Sequence, residues 1–272
     1  MIRVGYFCTG GHTELGARAL PAGDLELAAI DAFLQKISAD IVWTRAFPAR
    51  EKPGPKHIPG SAPVSFKDPG DGGVTGRTLV EKMGKRLTKH YRGADCDLDV
   101  VVLIDDADCR FLVDGSLQRW TQDRERDVRS WTEQPELRFV ALLASPEVEA
   151  WLLADWEEGF GREYAAIQVQ LGRALERDLL GPRPWRGLEA CGGPCDPETG
   201  TCTRKLSTEV QKVLERLAME RGGTADRRTY TYSKRDNGPD MLRRIRPDKA
   251  SELCPGVLGP ALRELRRLGQ QR

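Results

Sequence analysis

Apolar positions in the first half of the chain fall into short continuous runs separated by stretches with helical spacing. Ile2–Cys8, Ile41–Phe47, Asp99–Ile104 (DVVVLI) and Leu137–Ala144 (LRFVALLA) are the strand-like runs. DVVVLI is a continuous β-branched run of the kind that lies buried on both faces of a parallel sheet. Between the runs, Leu27, Ile30, Phe33, Leu34 and Ile37 set a helical stripe over Asp24–Ile37. Thr78–Tyr91 reads as a basic helix and Gly115–Arg129 as a polar one, and Pro48–Gly73 is a Pro/Gly-rich loop. Strands alternating with helices predict right-handed βαβ crossovers and an α/β fold with a doubly wound, mainly parallel sheet.

The second half has a different pattern. Tyr164–Leu180, Thr208–Arg221 and a stretch from about Gly259 onward carry helical spacing, and Gly181–Lys205 reads as a loop. We therefore expect two regions: an α/β domain over 1–158 and a mainly helical extension over 159–272. Charge divides at the same place. Residues 1–158 hold 20 Lys+Arg against 26 Asp+Glu, a net of −6, whereas 159–272 hold 22 against 15, a net of +7. Such a division suits a protein that holds cations in one place and an anion in another, and it equally fits two differently solvated surfaces. No apolar run reaches the roughly 18 residues of a membrane span. Seven scattered cysteines do not form a secreted disulfide framework. With no signal-peptide pattern at Met1–Gly11, the expected location is a reducing cytoplasm.

Carboxylates collect where a doubly wound sheet places its ligands, beyond the carboxyl ends of its strands. The first strand leads into Thr9-Gly10-Gly11-His12-Thr13-Glu14. The third leads into Asp105-Asp106-Ala107-Asp108, and the fourth into Ser145-Pro146-Glu147-Val148-Glu149. Taken singly, each group has a plain explanation. Glu14, Glu147 and Glu149 suit the first turn of a helix, where a carboxylate meets the positive end of the macrodipole, and Asp105, Asp106 and Asp108 suit a solvated turn. Three acidic groups after three strands point instead to one site, where carboxylates would repel each other unless cations lay between them. Mg²⁺ (or Mn²⁺) suits such oxygen donors.

Three of these elements resemble Toprim-related proteins: Gly11-His12-Thr13-Glu14, Asp106-Ala107-Asp108, and Glu149-Ala150-Trp151-Leu152-Leu153-Ala154-Asp155. They are most similar to a Toprim-like family of prokaryotic proteins encoded beside ATPases in defence loci, with an OLD-nuclease-like site. Ser233-Lys234-Arg235, Pro247-Asp248-Lys249-Ala250 and Leu253-Cys254-Pro255 are similar to C-terminal motifs of the same group. The resemblance implies a Toprim/Rossmann-like sheet and a Mg²⁺-dependent nuclease acting on DNA or RNA, with an ATPase subunit as partner. On it, Glu14 matches a metal ligand or general acid/base, Asp106 and Asp108 a metal-binding pair, and Glu149 a fourth carboxylate. Asp105, next to the pair, leaves its register open, and Glu147 is a further candidate metal ligand.

Phosphodiester hydrolysis would also need a cationic holder for the phosphate. Lys234, Arg235, Arg243 and Arg244 are the candidates, with Arg246 beside them. Tyr230 and Tyr232 precede them and suit either base stacking or a half-buried strand. Cys191, Cys195 and Cys202, with Cys254 at a distance, offer thiolates for Zn²⁺ but lack the paired Cys-x-x-Cys spacing, so plain thiols fit them equally. His12 lies beside Glu14, whereas His57 and His90 are scattered. No Gly-x-Ser-x-Gly, Gly-Lys-Ser/Thr or Gly-x-Gly-x-x-Gly element is present. Two other readings stay open: a non-catalytic module of the same fold that binds nucleic acid or the ATPase, and a small-nucleotide-binding α/β protein.

Overall fold

A computed structural model describes residues 1–9, 11–15, 28–47, 74–108, 110–111, 116–185, 187–189, 202, 205–221 and 227–271. The Pro48–Gly73 loop and the first residues of the helix expected from Asp24 lie outside the described residues.

Four strands, β1 (Ile2–Cys8), β2 (Ile41–Phe47), β3 (Val100–Asp106) and β4 (Arg138–Ala144), pair in parallel in the order β2-β1-β3-β4. Helices cover both faces, so β3 and β4 are apolar on both sides, and their unbroken hydrophobic runs follow from that. The short α1 (His12–Leu15) and α2 (Ala29–Gln35) follow β1. α3 (Gly76–His90) joins β2 to β3, and α4 (Ser116–Thr132) joins β3 to β4.

Side-chain alternation along the strands sorts the core into two layers. Tyr6, Val102, Ile104 and Leu142 face α2 and the C-terminal helices, whereas Phe7, Val101, Leu103 and Leu143 face α3 and α4. β1 to β2 runs in one direction, and the next connection returns across β1 to reach β3. The strand order thus reverses between β1 and β3, and a crevice at their carboxyl ends is where such sheets bind ligands.

Among the described residues after β4 the regular elements are helices: α5 (Glu149–Ala154), α6 (Phe160–Glu163), α7 (Gln168–Leu175), α8 (Leu206–Glu220), α9 (Gly238–Arg244), α10 (Pro247–Leu253) and α11 (Leu258–Gln270). The single helix expected over Tyr164–Leu180 is instead a 3₁₀ turn, α7 and a π-type turn, which ends at Gly181 with φ of +72°. These helices do not form a detached lobe. Leu171, Leu214, Met241 and Leu262 lie in the same hydrophobic cluster as Ile30, Phe33 and Trp151. Lys36, near the end of α2, donates to the carbonyls of Arg243, Arg244 and Ile245, and so closes the C-terminus of α9.

Trp151 is the largest fully buried side chain and stacks on Phe33 at 5.2 Å between ring centroids, joining α5 to α2 beneath the strand ends. Replacing Trp151 with Ala should cost about 4 kcal/mol in urea unfolding, as large core truncations do. Trp151→Phe should cost clearly less, because it keeps the stack and removes an indole N–H that has no partner. Equal losses for the two variants would mean that the stack contributes little.

A candidate acidic metal centre at the switch point

Glu14 comes from the turn after β1. Gly11 lets its side chain fold back: a Cβ at Gly11 would stand 2.5 Å from Glu14 Oε2. Asp106 is the last residue of β3, and its Oδ1 accepts a hydrogen bond from the backbone N–H of Val148 (3.1 Å). Glu147 and Glu149 lie at the start of α5, with no exposed surface. Glu147 Oε1 accepts from Ser207 N (2.6 Å), and Glu149 Oε1 accepts from the Tyr232 hydroxyl (2.5 Å). Lys234 completes the group, its Nζ 2.7 Å from Glu147 Oε2 and 3.3 Å from Glu149 Oε2. Glu14 and Asp106, with Trp151, Ile104 and Val148, also line a void of about 10 Å³. That is room for one water-sized occupant.

Asp105 also borders that void and helps to raise Glu14, but its hydrogen bonds lie on the other side of the sheet. Its neighbour relation to Leu103 turns it toward the α3–α4 layer. There its Oδ2 accepts from the N–H of Gly76 (2.8 Å), at the start of α3, and from Arg110 (2.7 Å). Arg110 also donates to the carbonyls of Asp106 and Ala107, which fixes the turn after β3. Asp108, at φ of +47°, ion-pairs with Lys205. The sequence therefore offers three neighbouring aspartates, and the fold sends them to three different partners.

Glu14, Asp106, Glu147 and Glu149 gather around Lys234, Lys205 adds its charge toward Glu147 and Asp106, and the carboxylates still outnumber these two ammonium groups. Burial, aided by Glu147, pushes the Glu149 carboxyl up to about 7. Burial and the neighbouring Glu14 and Glu149 hold Asp106 well above the usual range, and burial raises Glu14. Burial alone would lower the Lys234 ammonium, but Glu149 and Glu147 outweigh it and raise its pKa. Burial and Glu149 similarly push the Tyr232 hydroxyl far up, so it stays a donor.

Among the described residues, no three His, Cys, Asp or Glu side chains form a ready-made metal cage. The carboxylates gather around an ammonium. Their chemistry nonetheless fits a hard cation. All are oxygen donors, the four outnumber Lys234 and Lys205 beside them, and Glu149 Oε2 is buried without a hydrogen-bond donor. Mg²⁺ needs only one or two protein carboxylates and keeps several waters.

The other candidates lie elsewhere. Arg235 is exposed. Arg243 ion-pairs with Asp240 (2.9 Å), Arg244 with Glu163 (2.7 Å), and Arg246 with Asp155 (2.6 Å) and Glu157 (2.9 Å). Tyr230 and Tyr232 are buried, and neither lies in a strand. Cys202 and Cys254 are buried, and the Cys254 thiol lies 3.9 Å from the Ala150 carbonyl. Cys191, Cys195, His57 and the His12 side chain lie outside the described residues, and His90 is exposed at the end of α3. Lys205, Ser207 and the hydroxyl role of Tyr232 are contacts that sequence spacing gives no means of finding.

Compared with known proteins, the chain matches no family model, no curated protein and no solved structure. Among the described residues no helix is long and apolar enough to cross a membrane. Fold and site define an α/β protein with a four-stranded parallel sheet and an acidic centre at its switch point.

Two predictions follow from this geometry. Below pH 4.5, the ordinary value for Glu149, folded and unfolded chains both hold its proton; between there and about 7 only the unfolded chain releases it. Stability should therefore fall by about 3 kcal/mol as pH rises through this window. Urea unfolding at pH 5 and pH 8 should show a smaller fall for Glu149→Gln, and an equal fall would place the charge cost elsewhere. The two adjacent aspartates should also differ. Asp105→Ala strips the Gly76 N–H of its acceptor and Arg110 of its carboxylate partner and should destabilise by about 3 kcal/mol, whereas Asp106→Asn removes a repelled charge and should leave stability equal or higher. The reverse order in thermal melts would contradict the assignment.

Proposed function

We propose that the protein is a Mg²⁺-dependent nuclease of Toprim type, hydrolysing phosphodiesters in DNA or RNA and acting with an ATPase partner in prokaryotic antiviral defence. The observation that carries the hydrolase reading is the gathering of Glu14, Asp106, Glu147 and Glu149 at the switch point around the Lys234 ammonium, with Lys205 also close enough to act on Asp106 and Glu147. The ATPase and the defence setting rest on the motif resemblance alone, as does a cytoplasmic location.

In this reading Asp106, Glu147 and Glu149 would hold the metal, and the chemistry it would supply is water activation and charge stabilisation at the phosphate. Glu14, raised by burial, is suited to hold and pass a proton on the β1 side of the crevice. Tyr232 and Ser207 orient Glu149 and Glu147, so that each presents its second oxygen toward Lys234. Lys234 holds phosphate once those carboxylates are otherwise neutralised. Arg243, Arg244 and Arg246 are engaged by carboxylates, which leaves Arg235 as the exposed cation of the candidate set.

One observation favours the second reading, a non-catalytic module that binds nucleic acid or the ATPase. Lys234 already neutralises Glu147 and Glu149, as a retained structural lysine would. Cleavage separates the two. The nuclease should degrade labelled single- or double-stranded DNA or RNA in 5 mM Mg²⁺ on the scale of ordinary metal-nuclease assays, roughly, and stop in EDTA. Asp106→Asn and Glu149→Gln should each lower the rate at least about 100-fold while their thermal melts stay cooperative, as for lost electrostatic stabilisation of the transition state. Binding without cleavage, unaffected by either substitution, would support the module instead.

A further inference from the structure

We infer that the Lys234 ammonium is a tethered competitor for the divalent cation, and that metal loading expels it from between Glu147 and Glu149. The inference rests on the metal-site reading above and adds a regulatory step to it.

Three features of the geometry support this exchange. The ammonium lies between two glutamates of no solvent exposure, where a cation bound by them would have to sit. Two positive charges cannot share that space. Glu149 Oε2 is incompletely served, since Lys234 Nζ is 3.3 Å away and forms no aligned hydrogen bond with it. A divalent ion with its own waters satisfies such an oxygen better than an ammonium reaching past it. The lysine also has somewhere to go, because its side chain is 40% exposed while both glutamates are at 0%.

Only the side chain needs to move. The backbone of its turn is fixed: Ser233 N donates to Asn237 Oδ1 (2.8 Å), and Arg235 N and Asp236 N donate to Ser233 Oγ (both 3.2 Å). Thr13 Oγ1 donates to the Lys234 carbonyl (3.3 Å). Gly238 packs against the same threonine, where a Cβ would stand 2.7 Å from Oγ1. Rotation about the lysine stem therefore frees the carboxylates without opening the fold. The released ammonium stays beside the site, available to an anion. By linkage, an anion that holds it there strengthens metal binding by the same factor as the metal strengthens anion binding.

The test uses the full chain and two readouts. Acylation of surface amines, read by mass spectrometry, should modify wild-type Lys234 slowly in EDTA and several-fold faster in saturating Mg²⁺. Mn²⁺ binding by calorimetry should be at least about tenfold tighter in Lys234→Met, the scale of close charge-pair couplings. Lys234→Arg keeps the competitor and should stay near wild type. Arg235→Met removes an adjacent charge that does not touch the glutamates, and it too should bind as wild type does. If Lys234→Met fails to fold, the wild-type acylation measurement decides alone. Mn²⁺ binding with unchanged Lys234 reactivity, or equal tightening in Arg235→Met, would overturn the competition and leave the metal centre standing. Absence of Mn²⁺ binding in wild type and variants would overturn both.

Discussion

Negative charge buried at the switch point of the sheet is the constraint around which the rest of this structure is arranged. Parallel strands deliver their carboxyl ends to one edge, and here three of the four deliver acidic residues. Buried carboxylates persist only when paired, hydrogen-bonded or protonated. Segments after residue 158 supply much of that compensation: Lys234 and the Tyr232 hydroxyl from the connection before α9, Lys205 and the Ser207 N–H from the start of α8. The C-terminal half is therefore part of the site, and its apolar residues share the hydrophobic cluster that supports the strand ends.

The division of charge between an acidic half and a basic half has a structural counterpart. Three of the basic residues meet carboxylates across the boundary: Lys205 with Asp108, Lys234 with Glu147, and Arg246 with Asp155 and Glu157. Arg138 reaches Glu264 in the opposite sense. Those three cations are turned toward the acidic half, while Arg243 and Arg244 are engaged by carboxylates of their own half. Electrostatic complementarity here is a folding device, because a mispaired C-terminal half would leave buried carboxylates without counterions.

The strands were the most legible elements, since a strand buried on both faces leaves an unbroken apolar run. All four fall within two residues of the expected bounds at each end. The strand-end carboxylates were legible for the same reason. Which aspartate faces which way was less so. β3 continues to Asp106, so pleating places Asp105 and Asp106 on opposite faces, and only the strand's true end reveals it. Lys205 and Tyr232 were not legible as partners of this site, because their contacts with Asp108 and Glu149 span 97 and 83 residues and no local pattern encodes them. The arginines after residue 242 looked like a phosphate-binding run for the converse reason: their carboxylate partners lie 81 to 91 residues away, apart from that of Arg243.

The central claim is that this acidic centre holds a divalent cation. A crystal soaked in Mn²⁺ and measured at the manganese absorption edge tests it most directly. The expected result is an anomalous peak bounded by Asp106, Glu147 and Glu149, with the Lys234 side chain turned away. A fully occupied Lys234–Glu147–Glu149 bridge with no anomalous peak at the carboxylates would contradict it.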